Sequence, residues 1–146
     1  MSQEKIDIIR HSCAHLVAAA VQELYPQAKF GVGPVVENGF YYDIDFGQNI
    51  GEETLAKIED KAKELAKSNA VFERQEMPID QAIAFFKKLG QDYKVELLAD
   101  LKKEGEKDVS VYQTGNFFDL CRGPHIDSSG KVGAFKLTHL AGAYWK

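Results

Sequence analysis

The stretch RHSCAHLVAAAVQ, residues 10–22, is the most informative segment for the fold because it predicts a long helix with two different faces. Residues 3–25 contain good helix formers and neither Gly nor Pro, and the helix is expected to stop at Tyr25-Pro26. At about 100° per residue, the apolar side chains form a stripe roughly 80° wide, which predicts the core-facing side. The stripe consists of Ile6, Ile9, Cys13, Val17, Ala20 and Leu24.

Two histidines, His11 and His15, lie four positions apart on this helix and fall almost opposite the apolar stripe. Ala18 and Gln22 are their neighbours on that side. A histidine pair beside small side chains predicts a second packed surface or the wall of a cleft. The pair alone is equally compatible with surface or interfacial histidines whose ring nitrogens bond backbone groups or water.

Composition and charge limit the class of protein. A chain of 146 residues is long enough to bury a core without disulfides or metal, which predicts one domain over residues 1–146 and free thiols at Cys13 and Cys121. It has no run of 18 apolar residues and no signal peptide, so we expect a cytoplasmic protein without a membrane segment. The net charge of -4 argues against a protein that grips a long nucleic-acid duplex by itself.

The rest of the chain alternates predicted helices and antiparallel hairpins without a regular βαβ rhythm. Residues 29–36 and 39–46, joined around Asn38-Gly39, predict a hairpin, in which alternation directs Phe40 and Tyr42 to one face. The other predicted elements are helices within 51–69, 78–90 and 91–105, a strand within 71–77 and a strand pair within 109–120. Together they predict an α+β fold with a mostly antiparallel β-sheet packed with helices, the long N-terminal helix facing the active-site cleft.

A second histidine-containing pair lies near the end of the chain. Cys121 and His125, in DLCRGPH at 119–125, are again four positions apart, and the Gly-Pro between them excludes regular helix. With His11 and His15 they are a plausible set of four nitrogen and sulfur ligands, the number that a tetrahedral zinc site requires. They are equally suited to a hydrolytic site without metal, where imidazoles act as bases and hydrogen-bonding groups.

Four motifs, in this order and at these separations, resemble the editing domain of bacterial-type threonyl-tRNA synthetase, its second additional domain. They are HSCAH at 11–15, GVGPVVENGFYYD at 31–43, DLCRGPH at 119–125 and LAGAYW at 140–145. The editing domain of alanyl-tRNA synthetase and its freestanding homologues resembles this chain less closely. It shares HxxxH and CxxxH, but it has CGGTH in place of CRGPH and lacks NGFYYD and AGAYW. An alanyl-type trans-editing deacylase is therefore the more distant alternative.

The resemblance implies an aminoacyl-tRNA deacylase that cleaves the ester of seryl-tRNA(Thr), the product of attaching serine to threonine tRNA. Serine is threonine without one methyl group, and a synthetic site rejects such an analogue by only ~1–3 kcal/mol. A second site that excludes threonine by the bulk of its methyl supplies the remaining selectivity. The implied partners are a tRNA acceptor end carrying serine and, if the chain is an excised domain rather than a freestanding protein, the remainder of the synthetase. No aminoacylation is expected from this chain alone.

The resemblance also implies roles for single residues. The signature site residues are His11, His15, Cys121 and His125, and those lining the pocket are Lys94, Tyr42, Asp119 and Gly33. We favour His11 as the general base toward a water molecule, because an imidazole titrates near neutral pH. His139, Tyr144 and Trp145 are expected to be structural.

Three of the pocket residues have implied contacts with the substrate. Lys94 is expected to stabilise the developing oxyanion or to hold water and phosphate; without the resemblance, it would be expected to face solvent on an amphipathic helix. Asp119 is expected to bind the free amino group of serine, and otherwise to accept backbone N–H bonds in the following loop. Gly33 is expected to permit close approach of the substrate, and otherwise to mark a strand bulge.

The metal requirement separates the hypotheses. Hydrolysis by a positioned water without a cofactor is the favoured prediction, and zinc held by His11, His15, Cys121 and His125 is the alternative. Attack by a Cys121 thiolate activated near His125 is a third route. A hypothesis from another class is a non-catalytic zinc-binding or tRNA-end-binding module.

Overall fold

The computed structural model describes residues 2–36, 39–48, 50–121, 125–126, 128–133 and 135–137. Its helices are α1 (Gln3–Leu24), α2 (Glu52–Lys67), α3 (Ile79–Lys88) and α4 (Asp92–Lys103), followed by a 3₁₀ helix at Ser129–Val132. Its strands are β1 (Lys29–Phe30), β2 (Val35–Val36), β3 (Gly39–Phe40), β4 (Ile44–Asp45), β5 (Glu73–Pro78), β6 (Asp108–Thr114) and β7 (Phe117–Leu120). The paired strands in these ranges are all antiparallel, which confirms the predicted α+β class.

Helix α1 is the central element of the fold. The Ser2 hydroxyl caps it by accepting the backbone N–H of Lys5 at 3.3 Å, and the helix ends just before Pro26, as predicted. Residues 12–21 are buried on every side, because α2 packs against one face while β3 and β7 cover others. The predicted single core stripe was therefore too narrow. Leu24, in the last turn, is 38% exposed, whereas Ala18 on the opposite face is fully buried.

The predicted hairpin is present but interrupted. β1 pairs with β4 and β2 pairs with β3, and residues 31–34 and 41–43 separate the two ladders. Asp43 keeps the arms together, because its carbonyl accepts the N–H of Gly31 and its N–H donates to the carbonyl of Val32, both at 2.8 Å. Tyr41 is exposed while Phe40 and Tyr42 are half-buried, as the alternation predicted. The predicted turn residue Asn38 lies outside the described part of the chain.

Strands β5, β6 and β7 form the three-stranded sheet, with β6 in the middle. Helices α3 and α4 pack against it through a buried apolar cluster of Met77, Ile79, Ala82, Phe86, Leu98 and Val111. The turn between β6 and β7 contains Gly115 at φ 59, a left-handed conformation that favours glycine. The sheet therefore places β7 against α1, and Cys121 follows directly after the end of this strand.

The helices predicted within 51–69, 78–90 and 91–105 are confirmed as α2, α3 and α4. Helix α2 buries Ile58 and Ala62 against α1, as its apolar spacing indicated. No disulfide joins Cys13, which is buried, to Cys121, which is half-buried. Within the described ranges, no helix combines the length and the apolar character needed to cross a membrane.

Candidate functional site

A cleft of about 890 Å³ lies between α1, the interrupted hairpin, α4 and the sheet. All eight residues singled out from the sequence line it: His11, His15, Gly33, Tyr42, Lys94, Asp119, Cys121 and His125. The predicted structural residues His139, Tyr144 and Trp145 lie outside the described ranges, as does the segment 122–124 between Cys121 and His125. The fold thus brings segments from both ends of the chain to one surface.

Local structure explains how each element presents its residue. His11 and His15 lie on successive turns of α1, and Lys94 lies in the first turn of α4. Gly33 and Tyr42 come from the two interruptions of the hairpin, where the chain leaves the ladder. Residues 117, 119 and 121 of the last strand and its extension point to the same side, because side chains alternate along a strand.

Lys94 is the charged centre of the cleft. Its side chain is 3% exposed, so the alternative of a solvent-facing lysine is wrong. Nζ donates to the carbonyl oxygen of Gly31 and, at 3.1 Å, to Oη of Tyr42, and it lies 2.6 Å from Oδ1 of Asp119. An ammonium group has three N–H bonds; Lys94 donates to Gly31 and Tyr42, and its contact with Asp119 is an ion pair. Lys94 therefore ties the hairpin and the end of β7 to α4.

Asp119 is held as a carboxylate in this network. Burial alone would raise its pKa, but the charge of Lys94, the field of His15 and the Tyr42 hydrogen bond outweigh burial, so the pKa lies below its usual value. Tyr42 donates to Oδ2 at 2.6 Å. Oδ1 is in ion-pair contact with Lys94 but accepts no aligned hydrogen bond from the described residues. Asp119 thus retains an acceptor position in the cleft.

Tyr42 is held as a neutral phenol by the same surroundings. Burial, reinforced by the negative charge of Asp119, raises the pKa of Tyr42 well above its ordinary value. Its single proton is given to Asp119, and its oxygen accepts from Lys94. The Tyr42 hydroxyl therefore bridges Lys94 and the Asp119 carboxylate by two hydrogen bonds.

His15 is surrounded by aromatic rings. It is 1% exposed, with ring centroids 5.1 Å from Phe72 and 4.9 Å from Phe117. Neither ring nitrogen has a hydrogen-bond partner among the described residues, and the burial of the ring contradicts the alternative of a surface histidine. Burial lowers the pKa of His15 to about 4, so the ring is neutral at pH 7.

His125 returns to α1 from the segment after β7. Its Nδ1 lies 3.1 Å from Oγ of Ser12, and its ring packs edge-on against Tyr112 at 4.4 Å between centroids. Burial, followed by the neighbouring His15 and His11, lowers the pKa of His125 to about 3. The sequence reasoning missed Ser12. The available signal was that Ser12 and His15 are the only polar residues within 12–21 of α1.

His11 and Cys121 complete the histidine and cysteine side of the cleft. The ring centroids of His11 and His125 are 6.1 Å apart, and the backbone N–H of Cys121 donates to the carbonyl of Ser110 at 3.1 Å. Within the described ranges, no three His, Cys, Asp or Glu side chains converge closely enough to hold a metal ion. The four residues of the zinc alternative line one cleft.

Part of the cleft lining, contributed by α4, β5, β6 and the loop before β6, is acidic. Five carboxylates line this acidic part: Glu76, Asp100, Glu104, Glu106 and Asp108. Arg74 also lines the cleft and pairs with Glu76 at 2.9 Å. The acidic part therefore disfavours an anionic ligand such as a phosphate group.

The chain is similar in sequence to one known family and to a group of tRNA ligases. Residues 109–143 match the family described as the threonyl and alanyl tRNA synthetase second additional domain. The threonine–tRNA ligase of Marinobacter nauticus is 51% identical over 144 residues, which is 99% of this chain and 22% of that ligase. The ligase of Coxiella burnetii is 51% identical over 143 residues, 98% of this chain and 22% of the ligase. That of Bdellovibrio bacteriovorus is 47% identical over 146 residues, with coverages of 99% and 22%.

The cleft thus joins the helix that carries HxxxH to the strand end that carries CxxxH, and the second of these segments lies within the match to the second additional domain of the tRNA synthetases. The similarity over nearly the whole chain is to threonine–tRNA ligases, as its motifs predicted. The chain spans about a fifth of the length of the curated relatives it matches.

Proposed function

We propose that this domain hydrolyses the ester bond of mischarged aminoacyl-tRNA, and that its substrate is threonine tRNA carrying serine. The observation that best supports this is the pairing, in one cleft, of a buried carboxylate with histidines that remain neutral. An aminoacyl ester offers a matching pair of groups, an ammonium and an ester carbonyl separated by one carbon. The carboxylate receives the first and the imidazoles surround the second.

Asp119 is assigned to the amino group of the substrate. Its unfilled acceptor on Oδ1 suits an ammonium donor, and a charge-assisted bond in a buried site is stronger than a neutral one. A peptidyl ester lacks this ammonium and forfeits the contact. Asp119 therefore selects aminoacyl over peptidyl esters.

Lys94 is assigned to holding Asp119 and Tyr42 in place. Its Nζ contacts three oxygens of the protein, so direct contact with an oxyanion would require it to give up one of these contacts. Stabilisation of the oxyanion by Lys94 is thus electrostatic, through the charge of a buried ammonium group.

Bond cleavage is assigned to water, with His11 as the general base. The water oxygen attacks the ester carbonyl carbon while its proton passes to the imidazole, and the proton then reaches the ribose oxygen as the ester C–O bond breaks. His15 and His125, with pKa values lowered to about 4 and about 3, are weak bases suited to accepting hydrogen bonds. The half-buried His11 on the cleft surface remains as the base.

The wall that faces the amino acid is tight. A Cβ added at Gly33 would overlap the ring of Tyr42, with Cε2 only 2.7 Å away. Gly33 is thus required for space rather than for backbone conformation. We propose that Gly33 and Tyr42 form the pocket wall that admits serine and excludes the extra methyl group of threonine.

Replacing Gly33 by Ala is expected to displace Tyr42 and lower seryl-tRNA hydrolysis about tenfold, because overpacking costs about 1–3 kcal/mol. Gly39→Ala is the matched control on the same hairpin, since a Cβ there has no neighbour within 4 Å in the described part of the chain. Single-turnover rates for both variants measure the difference. Equal rates for the two variants would argue against a wall formed by Gly33 and Tyr42.

The central test is deacylation of seryl-, threonyl- and alanyl-tRNA by the whole chain. We expect seryl-tRNA(Thr) to be hydrolysed at least about tenfold faster than threonyl-tRNA(Thr), the discrimination that one methyl group supports. His11→Ala is expected to lower the rate about 100-fold, the loss of a general base. Preference for alanyl-tRNA would favour the alanyl-type alternative, and bound zinc without any turnover would favour the non-catalytic module.

Two further arms of the same assay separate the chemical routes. Cys121→Ala is expected to keep most of the activity, since a positioned water needs no thiolate; loss of turnover would favour the covalent route. Metal content is measured in the same preparation before and after treatment with a chelator. Activity that survives removal of metal supports the water route, and activity restored by zinc alone would support the metal alternative.

A further inference from the structure

Ser12 is a fully buried serine in α1 whose hydroxyl contacts three groups. Oγ lies 2.8 Å from the carbonyl oxygen of Ile8, 3.0 Å from the backbone nitrogen of Ile126 and 3.1 Å from Nδ1 of His125. The carbonyl of Ile8 can only accept a hydrogen bond, and the N–H of Ile126 can only donate one. The role of the histidine nitrogen depends on where its ring carries the proton.

The hydroxyl has one proton and two acceptor lone pairs, so the partners can be assigned. When the proton goes to Ile8, the lone pairs receive the N–H of Ile126 and an N–H at Nδ1 of His125, and all three contacts are hydrogen bonds. When the proton goes instead to Nδ1, two oxygens face each other at 2.8 Å without a hydrogen between them. The first arrangement satisfies every group, and it requires the proton of a neutral His125 to be on Nδ1.

We propose that Ser12 is a positioning residue that holds His125 in the Nδ1–H tautomer, so that Nε2 is a hydrogen-bond acceptor in the cleft. Nε2 has no partner among the described residues, although His125 lines the cleft. A ring nitrogen with a lone pair accepts a hydrogen bond from a water molecule or a ribose hydroxyl, whereas the opposite tautomer presents a donor there. The value of this acceptor for the reaction rests on the proposed function; the tautomer itself does not.

The surroundings of His125 fix its ring plane but not its proton. Tyr112 and Phe72 pack against the ring at 4.4 and 5.3 Å between centroids, and neither contact distinguishes the two ring nitrogens. Ser12 is the described residue that hydrogen-bonds the ring. His15 shows the contrast, because neither of its nitrogens has a partner within the described ranges. Control of the tautomer is therefore specific to the contact between Ser12 and His125.

The tautomer is measured directly by long-range ¹H–¹⁵N correlation on the whole chain at neutral pH, with His125→Gln used to assign the signal. Protonated and unprotonated ring nitrogens resonate in separate ¹⁵N regions. We expect wild-type His125 to show the proton on Nδ1. A wild-type spectrum with the proton on Nε2 would overturn the proposal whatever the behaviour of any variant.

Ser12→Ala is compared with Ser129→Ala, a matched loss of a buried hydroxyl. Ser129 is also fully buried; its Oγ donates to Leu65, accepts from the N–H of Ala70 and lies outside the cleft lining. We expect Ser12→Ala to move His125 toward the Nε2–H tautomer and to lower kcat for seryl-tRNA about tenfold with little change in KM. We expect Ser129→Ala to change stability alone.

The outcomes keep the two proposals apart. An unchanged tautomer in Ser12→Ala, or the same loss of kcat in Ser129→Ala, would refute a positioning role for Ser12. If no variant and no wild-type protein hydrolyses aminoacyl-tRNA, the proposed function fails, and the ¹⁵N spectra still decide whether Ser12 sets the tautomer.

Discussion

Replacing Lys94 by Met is expected to lower the free energy of unfolding by about 3–5 kcal/mol and the rate of seryl-tRNA hydrolysis about 100-fold. The substitution keeps the length of the side chain but removes the buried cation that contacts Gly31, Tyr42 and Asp119. The Asp119 carboxylate then lies buried without its counter-charge. Urea unfolding followed by circular dichroism measures the first effect, and single-turnover deacylation measures the second.

Lys102→Met is the matched control, because Lys102 lies on the same helix and also forms an ion pair. Its Nζ is 2.6 Å from Asp80, but the two side chains are 56% and 72% exposed. An exposed pair contributes about 0–1 kcal/mol, so this variant is expected to unfold nearly as wild type does. Equal destabilisation by the two substitutions would contradict the assigned role of Lys94.

A double variant separates stability from activity. Adding Asp119→Asn to Lys94→Met removes the unpaired buried charge and is expected to restore part of the lost stability. Activity is expected to stay low, because an amide does not bind the substrate ammonium as a carboxylate does. Recovery of both stability and activity would show that the charge pair has only a structural role.

Acidification from pH 6.5 to 4 is expected to lower the free energy of unfolding by about 3 kcal/mol through His15 alone. Burial lowers the pKa of folded His15 to about 4, whereas the pKa of the unfolded ring is near the ordinary histidine value of 6.5. Between these values the unfolded state binds a proton that the folded state does not, so falling pH favours unfolding. Proton binding by His125 also favours unfolding as the pH falls to about 3. Proton binding by Asp119 favours unfolding below the pKa of its unfolded form.

His15→Leu tests this assignment in the presence of a chelator. The ring has no described hydrogen-bond partner and lies between two phenylalanines, so an apolar side chain of similar size is expected to preserve or raise stability at pH 7. Denaturant midpoints measured at several pH values are expected to vary less with pH than in wild type. An unchanged slope between pH 6.5 and 4 would assign the acid sensitivity to other groups.

Most of the secondary structure could be predicted from the sequence. Helix α1 was expected over 3–25 and occupies Gln3–Leu24, and the strand pair expected within 109–120 is β6 and β7. Helix formers, glycine turns and apolar spacing act over a few neighbouring positions, so a local reading detects them. The hairpin was predicted as continuous, but its interruption depends on how residues 31–34 and 41–43 meet α4 and the cleft.

The residues of the candidate site were predictable from the sequence, but their hydrogen bonds and burial were not. The two four-residue pairs and the pocket residues were identified from the motifs, and they do line one cleft. The burial of Lys94 was not predictable from its helical spacing, because the hairpin that covers it is far away in sequence. Ser12 was missed for the same reason, since its partner His125 lies 113 positions away.

The sequence by itself determined the helices, the antiparallel pairing, the similarity to known proteins and the members of the candidate site, because short-range spacing and residue type carry that information. Only the tertiary structure decided which of these side chains are buried, what each hydrogen-bonds and which charges persist. Protonation and burial depend on neighbours brought from distant segments, and periodicity along the chain does not record them. Lys94, Asp119 and Ser12 acquire their proposed roles only in the folded chain.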